Sequence, residues 1–267
     1  MESRALIKEY KRIVVKIGTS SLHYQNGKLN LQTIDRLAWT LSDLRNQDKE
    51  IILVSSGAIA VGAQRLGLAE RPRDVMGKQA ASAVGQAVLM QIYENFFTQY
   101  TQKVAQILLT KDVLDDVTRK TNAGNTFRTL FSMGVIPIVN ENDSISTEEL
   151  GFSENDSLSA YVARLVEGDL LIILSDIDGL RESDPKINPD AKMISEVNEI
   201  TGELFGMAGD VGSSLGTGGM QAKLAAAQIA TEAGIDTVIA SGGNPGVLFS
   251  ILNGDNVGTL FRASKKA

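Results

Sequence analysis

The stretch Ile13-Val14-Val15-Lys16-Ile17-Gly18-Thr19-Ser20 decides how the rest of the chain is read. Ile13 to Val15 are β-branched and apolar, the composition of a buried strand. Lys16 then enters that run, although an ammonium is rarely buried without a partner because removing it from water is costly. Gly18 lets the backbone turn sharply or approach a ligand with no Cβ in the way. Thr19 and Ser20 add hydroxyl and amide donors at the same strand end. A cation, a glycine and donors at the mouth of a sheet suit a phosphate. Taken alone, the segment also fits an edge lysine whose stem covers apolar surface while its head reaches water.

Working outward, the same grammar recurs. Asn30 is placed to cap a helix whose Leu31, Ile34, Leu37, Ala38, Leu41 and Leu44 share one face. Ile51-Ile52-Leu53-Val54 is a second buried strand, running into Ser55-Ser56-Gly57-Ala58. Val75 to Tyr100 reads as a long helix, apolar on more than one side, which predicts deep burial or a subunit interface. Val104 to Leu109 is a third strand and Val135 to Val139 a fourth, with a helix between them over Asn122 to Met133. Leu170 to Leu174 and Thr237 to Ala240 follow helices over Asp156 to Glu167 and Gly219 to Ala233. Gly134, Gly168 and Gly234 stand where the left-handed residue closing each of these helices is expected. Strands apolar throughout, alternating with helices, predict a mainly parallel sheet covered on both faces, a three-layer αβα sandwich. With no linker or repeat in the sequence, residues 1–267 read as one domain.

Composition narrows the function. The 267 residues are 43% hydrophobic and carry 26 basic against 32 acidic side chains, a net charge of −6. That balance argues against nucleic acid, which demands a basic footprint. The absence of cysteine excludes disulfides, thiolate metal sites and thiol nucleophiles. The single histidine, His23, sits in a polar loop and reads as solvent-exposed rather than as a ligand or base. Met1 to Arg12 has no apolar core of a signal peptide, and the apolar runs are too short to span a bilayer, so a cytoplasmic protein with no membrane contact is expected.

Open parallel sheets bind ligands outside the carboxyl ends of their strands. Those ends bring Lys16, Gly18 and Thr19, then Ser55, Ser56 and Gly57, then Asn140-Glu141-Asn142-Asp143, Ser175-Asp176 and Ser241-Gly242-Gly243-Asn244. Seven glycines lie between Gly202 and Gly219, and Thr217-Gly218-Gly219-Met220-Gln221-Ala222-Lys223 opens a helix, a geometry that aims amides at an anion. Neither a Walker sequence nor a Gly-x-Gly-x-x-Gly after a strand is present. Ser153-Glu154-Asn155-Asp156 reads as helix capping or as an acid able to hold two lysines in place. Together these pieces point to phosphoryl transfer. A hydroxyl acceptor benefits from a general base, whereas a carboxylate is already an anion at neutral pH and needs cationic and amide cover for the moving charge.

In that order the motifs resemble the amino-acid kinase family: the strand ending Lys16-x-Gly18-Thr19-Ser20, Ser55 to Ala60, Asn140 to Asp143, Ser175 to Leu180 with Asp184-Pro185, and Gly216 to Lys223. Lys78-Gln79-Ala80 with Ala83 to Gln86, Leu108-Leu109-Thr110 and Val257 to Phe261 resemble its glutamate-phosphorylating branch. The resemblance implies the family fold and ATP-dependent phosphorylation of the γ-carboxylate of L-glutamate, the first step of proline synthesis. It implies Mg²⁺ carried on the nucleotide and L-proline as a feedback inhibitor, while the apolar surface of the Val75 to Tyr100 helix predicts a homo-oligomer, dimer or tetramer. By position Lys16 and Lys223 would stabilise the phosphoryl group and Asp156 would orient them. Ser56, Gly57, Asp143 and Asn155 would hold glutamate. Lys16, Ser175, Asp176, Thr217, Gly218, Gly219, Met220, Gln221, Ala222 and Lys223 would hold ATP. The N-terminal part would form mainly the glutamate site, and the part from about residue 166 mainly the ATP site, with no C-terminal PUA domain. The chain departs from many relatives at Ser153-Glu154 and at Arg181.

Overall fold

A computed structural model describes residues 2–146, 155–183, 188, 190–207 and 219–263. The six expected strands are present: β1 (Arg12–Ile17), β2 (Glu50–Ser55), β3 (Lys103–Leu109), β4 (Val135–Glu141), β5 (Leu170–Ser175) and, after a two-residue strand β6 (Glu196–Val197), β7 (Asp236–Ser241). β8 (Thr259–Phe261) completes one sheet in the order β3-β4-β2-β1-β5-β7-β8-β6. All neighbours are parallel except β7 and β8, which pair antiparallel from Thr237↔Phe261 to Ile239↔Thr259. Their polar neighbourhoods hid β6 and β8 from a reading by apolar runs.

The principal helices are α1 (Leu31–Asn46), α2 (Ala58–Arg65), α3 (Val75–Gln99), α4 (Val117–Ser132), α5 (Asn155–Leu165), α6 (Met220–Glu232) and α7 (Val247–Leu252). They cover both faces of the sheet. On one side Ile13, Val15 and Ile17 of β1 pack with Ile34, Leu41, Leu89, Tyr93 and Phe97. On the other, Val14 packs with Phe127, Leu158 and Leu224 of α4, α5 and α6. The period of two along a strand makes this split inevitable. It also decides Lys16, which follows Val14 by two residues and therefore leaves on the α5–α6 side.

α4 starts five residues earlier than expected, because the Asp116 side chain accepts from the Arg119 amide and caps it there. Gly134 and Gly234 take the left-handed conformation expected of them, with φ of 70° and 84°. At Gly168 the expectation fails: Glu167 is the left-handed residue, with φ of 54°, and the Gly168 amide instead donates to Ala163 at 2.8 Å.

The placement of α2 against α3 depends on two glycines. A Cβ at Gly62 would lie 1.7 Å from the Ala81 carbonyl oxygen, and one at Gly85 would lie 1.8 Å from that of Ala58. Only bare backbone permits so close a crossing, and the crossing holds the start of α2 at the end of β2. There Gly57 adopts φ of 105°, a conformation that side chains rarely tolerate. No helix among the described residues is long and apolar enough to cross a membrane.

Candidate active site

β1 delivers Lys16 to the carboxyl edge of the sheet, where it meets the first turn of α5. Lys16 Nζ lies 2.6 Å from Asp156 Oδ1, and Lys223 Nζ from the first turn of α6 donates to Asp156 Oδ2 at 3.3 Å. All three are buried, Asp156 to 1% exposure, Lys223 to 4% and Lys16 to 7%. The arrangement expected from residues 16, 156 and 223 is therefore assembled. Burial pushes the Asp156 carboxyl up, but the two ammonium groups outweigh it and hold the group below the usual carboxylate range. Two cations on one carboxylate leave a net positive charge at the strand ends. Gly18 lies against it, since a Cβ there would stand 3.4 Å from Lys16 Nζ, in van der Waals contact.

The next residue back along α5 organises the other half of the site. Asn155 Nδ2 reaches the Ser55 carbonyl, Ser56 Oγ and Asn140 Oδ1, each at 2.9 Å. Asn140 Nδ2 in turn donates to Gln86 Oε1 at 2.9 Å, tying the network to α3. Ser82 donates to Asp143 Oδ2 at 3.0 Å, and burial still raises the Asp143 carboxyl above its ordinary value. Beside these residues opens a cleft of ≈ 570 Å³, lined by Ser56, Gly57, Asp143 and Asn155 together with Thr19, Arg71 and Lys78. All four residues expected around the substrate thus face one cavity.

On the opposite flank of β1, Ser175 Oγ donates to Asp176 Oδ1 at 2.9 Å at the end of β5. Gly219 caps α6 with no side-chain bond, so the amides of Met220, Gln221 and Ala222 open the helix with no side-chain cap. Lys223 Nζ also approaches the Gly219 carbonyl at 3.5 Å. Thr217 and Gly218, like Ser153 and Glu154, lie outside the described residues. Arg181 is tied back to Asp178 and to the Ala191 carbonyl, both at 2.8 Å.

His23 corrects the reading of the sequence. It is buried, not exposed, at 5%. Its Nδ1 stands 3.1 Å from the Thr19 carbonyl, which makes Nδ1 the protonated nitrogen and leaves Nε2 buried without a hydrogen-bond partner among the described residues. A Cβ on Gly57 would come within 3.0 Å of the ring, so the imidazole forms the floor beneath the Ser56–Gly57 turn. Burial lowers its pKa, and Arg71 lowers it further. Arg71 was also missed, because its loop, Glu70-Arg71-Pro72-Arg73, reads as a solvated charge cluster and only folding brings it along the cleft.

A buried lysine–aspartate–lysine junction at the carboxyl ends of a parallel sheet, between an anion-ready helix start and a polar cleft, is a phosphotransferase arrangement. Comparison with known families agrees: residues 11–241 match the amino acid kinase family. The chain belongs to that family. Within it the chain is similar to the glutamate 5-kinase of Clostridium perfringens, 54% identical over 98% of this chain and 99% of the relative. It is likewise similar to that of Enterococcus faecalis, 51% identical over 97% of each. The crystal structure of UMP kinase from Bacillus anthracis superposes with a TM-score of 0.65, covering 96% of this chain and 97% of the other at 19% identity, a likeness of fold.

Proposed function

We propose that this chain transfers the γ-phosphoryl group of ATP to the γ-carboxylate of L-glutamate, giving L-glutamyl 5-phosphate for proline synthesis. The observation that carries the reading is Asp156 holding Lys16 and Lys223 together, one residue from Asn155, which organises the cleft. In the reaction a γ-carboxylate oxygen of glutamate forms a bond to the γ-phosphorus. The bond to the β–γ bridging oxygen breaks, and its electron pair leaves with ADP. No proton moves, so the site needs no general base, consistent with a buried neutral His23. Lys16 and Lys223 cover the charge spread over the equatorial oxygens, and Asp156 fixes both in advance, so little reorganisation is needed at the moment of transfer.

Glutamate would occupy the cleft of Ser56, Gly57, Asp143 and Asn155, in the N-terminal part of the chain. ATP would lie along Ser175, Asp176 and the start of α6, in the part from about residue 166, with Thr217 and Gly218 in the approach to that helix. Mg²⁺ would arrive on the nucleotide and would supply neutralisation of phosphate charge. That route suits the residues present, since no group of three or more acidic or histidine side chains among the described residues could hold it alone. L-Proline offers the same ammonium and α-carboxylate without the γ-carboxylate, which supports competition for the cleft. The test is trapping of the acyl phosphate as a hydroxamate. Turnover with L-glutamate and not with L-aspartate, N-acetyl-L-glutamate or UMP is expected. ATP binding with no turnover on any acid would overturn the reading.

A further inference from the structure

An α-amino acid brings three charges into the cleft, and the residues above answer only two of them. The proposed reaction puts the γ-carboxylate at the lysine junction, and the Asp143 carboxylate suits the ammonium, so the α-carboxylate still needs a cation. Lys16 and Lys223 are committed to Asp156. Arg73 pairs with Glu70 at 3.6 Å, with both side chains largely in solvent. Arg71 lines the same cleft as Asp143 and Asn155. Among the described residues its guanidinium makes no hydrogen bond or ion pair. Asp143 acts on it electrostatically, yet the two stand outside the 4.0 Å of a salt bridge. The residue keeps exposed surface while lining the cleft, and the partial burial lowers its pKa. A guanidinium and a carboxylate that line one cleft without pairing form an incomplete pair. A zwitterion completes it, because the ammonium and carboxylate on one Cα supply the opposite charge to each side.

We propose that Arg71 receives the α-carboxylate of the substrate and, with Asp143, forms a clamp that selects free α-amino acids. This rests on the cleft being the glutamate site. The planar fork of arginine matches both oxygens of a carboxylate, which a lysine cannot do. The neutral His23 beneath Gly57 adds no further cation beside Arg71. Lys78, on the first turn of α3, also lines the cleft. Like Arg71 it makes no side-chain hydrogen bond or ion pair among the described residues, and it serves as the rival candidate.

The experiment compares wild type, Arg71→Leu, Arg71→Lys, Asp143→Asn and Lys78→Leu on three substrates that share the reacting carboxylate. These are L-glutamate, 4-aminobutyrate, which lacks the α-carboxylate, and glutarate, which lacks the ammonium. ADP release gives kcat and KM for each. A charge-assisted contact of this kind is worth roughly 10- to 150-fold in kcat/KM. Arg71→Leu is expected to lose that factor on glutamate and glutarate, mainly through KM, while its kcat/KM on 4-aminobutyrate matches wild type. Asp143→Asn should show the reciprocal pattern, sparing glutarate, and Arg71→Lys should recover only part of the loss. An equal fall on all three substrates would make Arg71 merely structural and overturn the clamp. So would an unchanged KM for glutamate, or the 4-aminobutyrate pattern arising in Lys78→Leu instead. Wild type with no glutamate turnover would overturn the underlying reading, whereas glutamate turnover with the Arg71 pattern missing would overturn the clamp alone.

Discussion

Replacing Asp156 by asparagine keeps its shape and removes the one anion that two buried ammonium groups share. Lys16 is 7% exposed and Lys223 4%, and their contacts with the carboxylate are 2.6 and 3.3 Å, so neither lysine can turn to water without repacking. Removing one partner of a buried ion pair costs about 3–5 kcal/mol, because the remaining charge is left desolvated and uncompensated. For a chain of this size about 2 °C of Tm follows each kcal/mol, so apo-protein Tm should fall by about 6–10 °C. ATP phosphates supply the missing anion, so saturating nucleotide should recover more stability in Asp156→Asn than in wild type. Catalysis should not recover, since the lysines are no longer held in place beforehand. The loss of such preorganised electrostatic contacts costs ~10²–10³ in kcat. Thermal unfolding with and without nucleotide, beside kcat at saturating glutamate and ATP, reads both quantities. An Asp156→Asn protein with near wild-type kcat would refute the reasoning, as would a Tm loss that nucleotide does not reduce.

Gly85→Ala places a methyl 1.8 Å from the Ala58 carbonyl, so α2 must shift away from α3; a stability loss of about 1–3 kcal/mol in urea unfolding is expected, with KM for glutamate rising because Gly57 moves with α2. His23 has a folded-state pKa below its unfolded value, so the unfolded chain binds the proton more readily. Its contribution to stability therefore begins to be lost as pH falls below about 6.5 and levels off below the folded pKa, and His23→Gln should flatten that limb of the Tm–pH curve. α3 leaves Met76, Ala80, Ala83 and Ala87 on its outward face, more small apolar surface than solvent favours. Sedimentation at micromolar concentration should show an oligomer that Ala83→Arg with Ala87→Arg converts to monomer, and a wild-type monomer would dismiss that interface.

The alternation of strand and helix was legible because a strand buried on both faces must be apolar throughout, and those runs are local. Lys16 stood out for the same reason: a charge within such a run demands a partner. Gly18 and the donors beside it suggested a phosphate as that partner, whereas the structure pairs Lys16 with Asp156. What the local pattern did not contain was which residues meet across the fold. Asp156 joins Lys16 and Lys223 from 140 and 67 positions away, and only the order of strands around β1 makes them neighbours. His23 shows the limit most plainly. In a polar loop it has the profile of an exposed residue, yet a hydrogen-bond contact with Thr19 and packing under Gly57 bury it. Arg71 reads as one charge among Glu70, Arg73 and Asp74, and its place in the cleft follows from where α2 and α3 cross. Residue chemistry is written in the chain, but desolvation and charge pairing are properties of the assembled neighbourhood. The chemistry available to this protein was therefore readable from its sequence, while its arrangement into a lysine–aspartate–lysine junction beside a polar cleft was decided by tertiary packing.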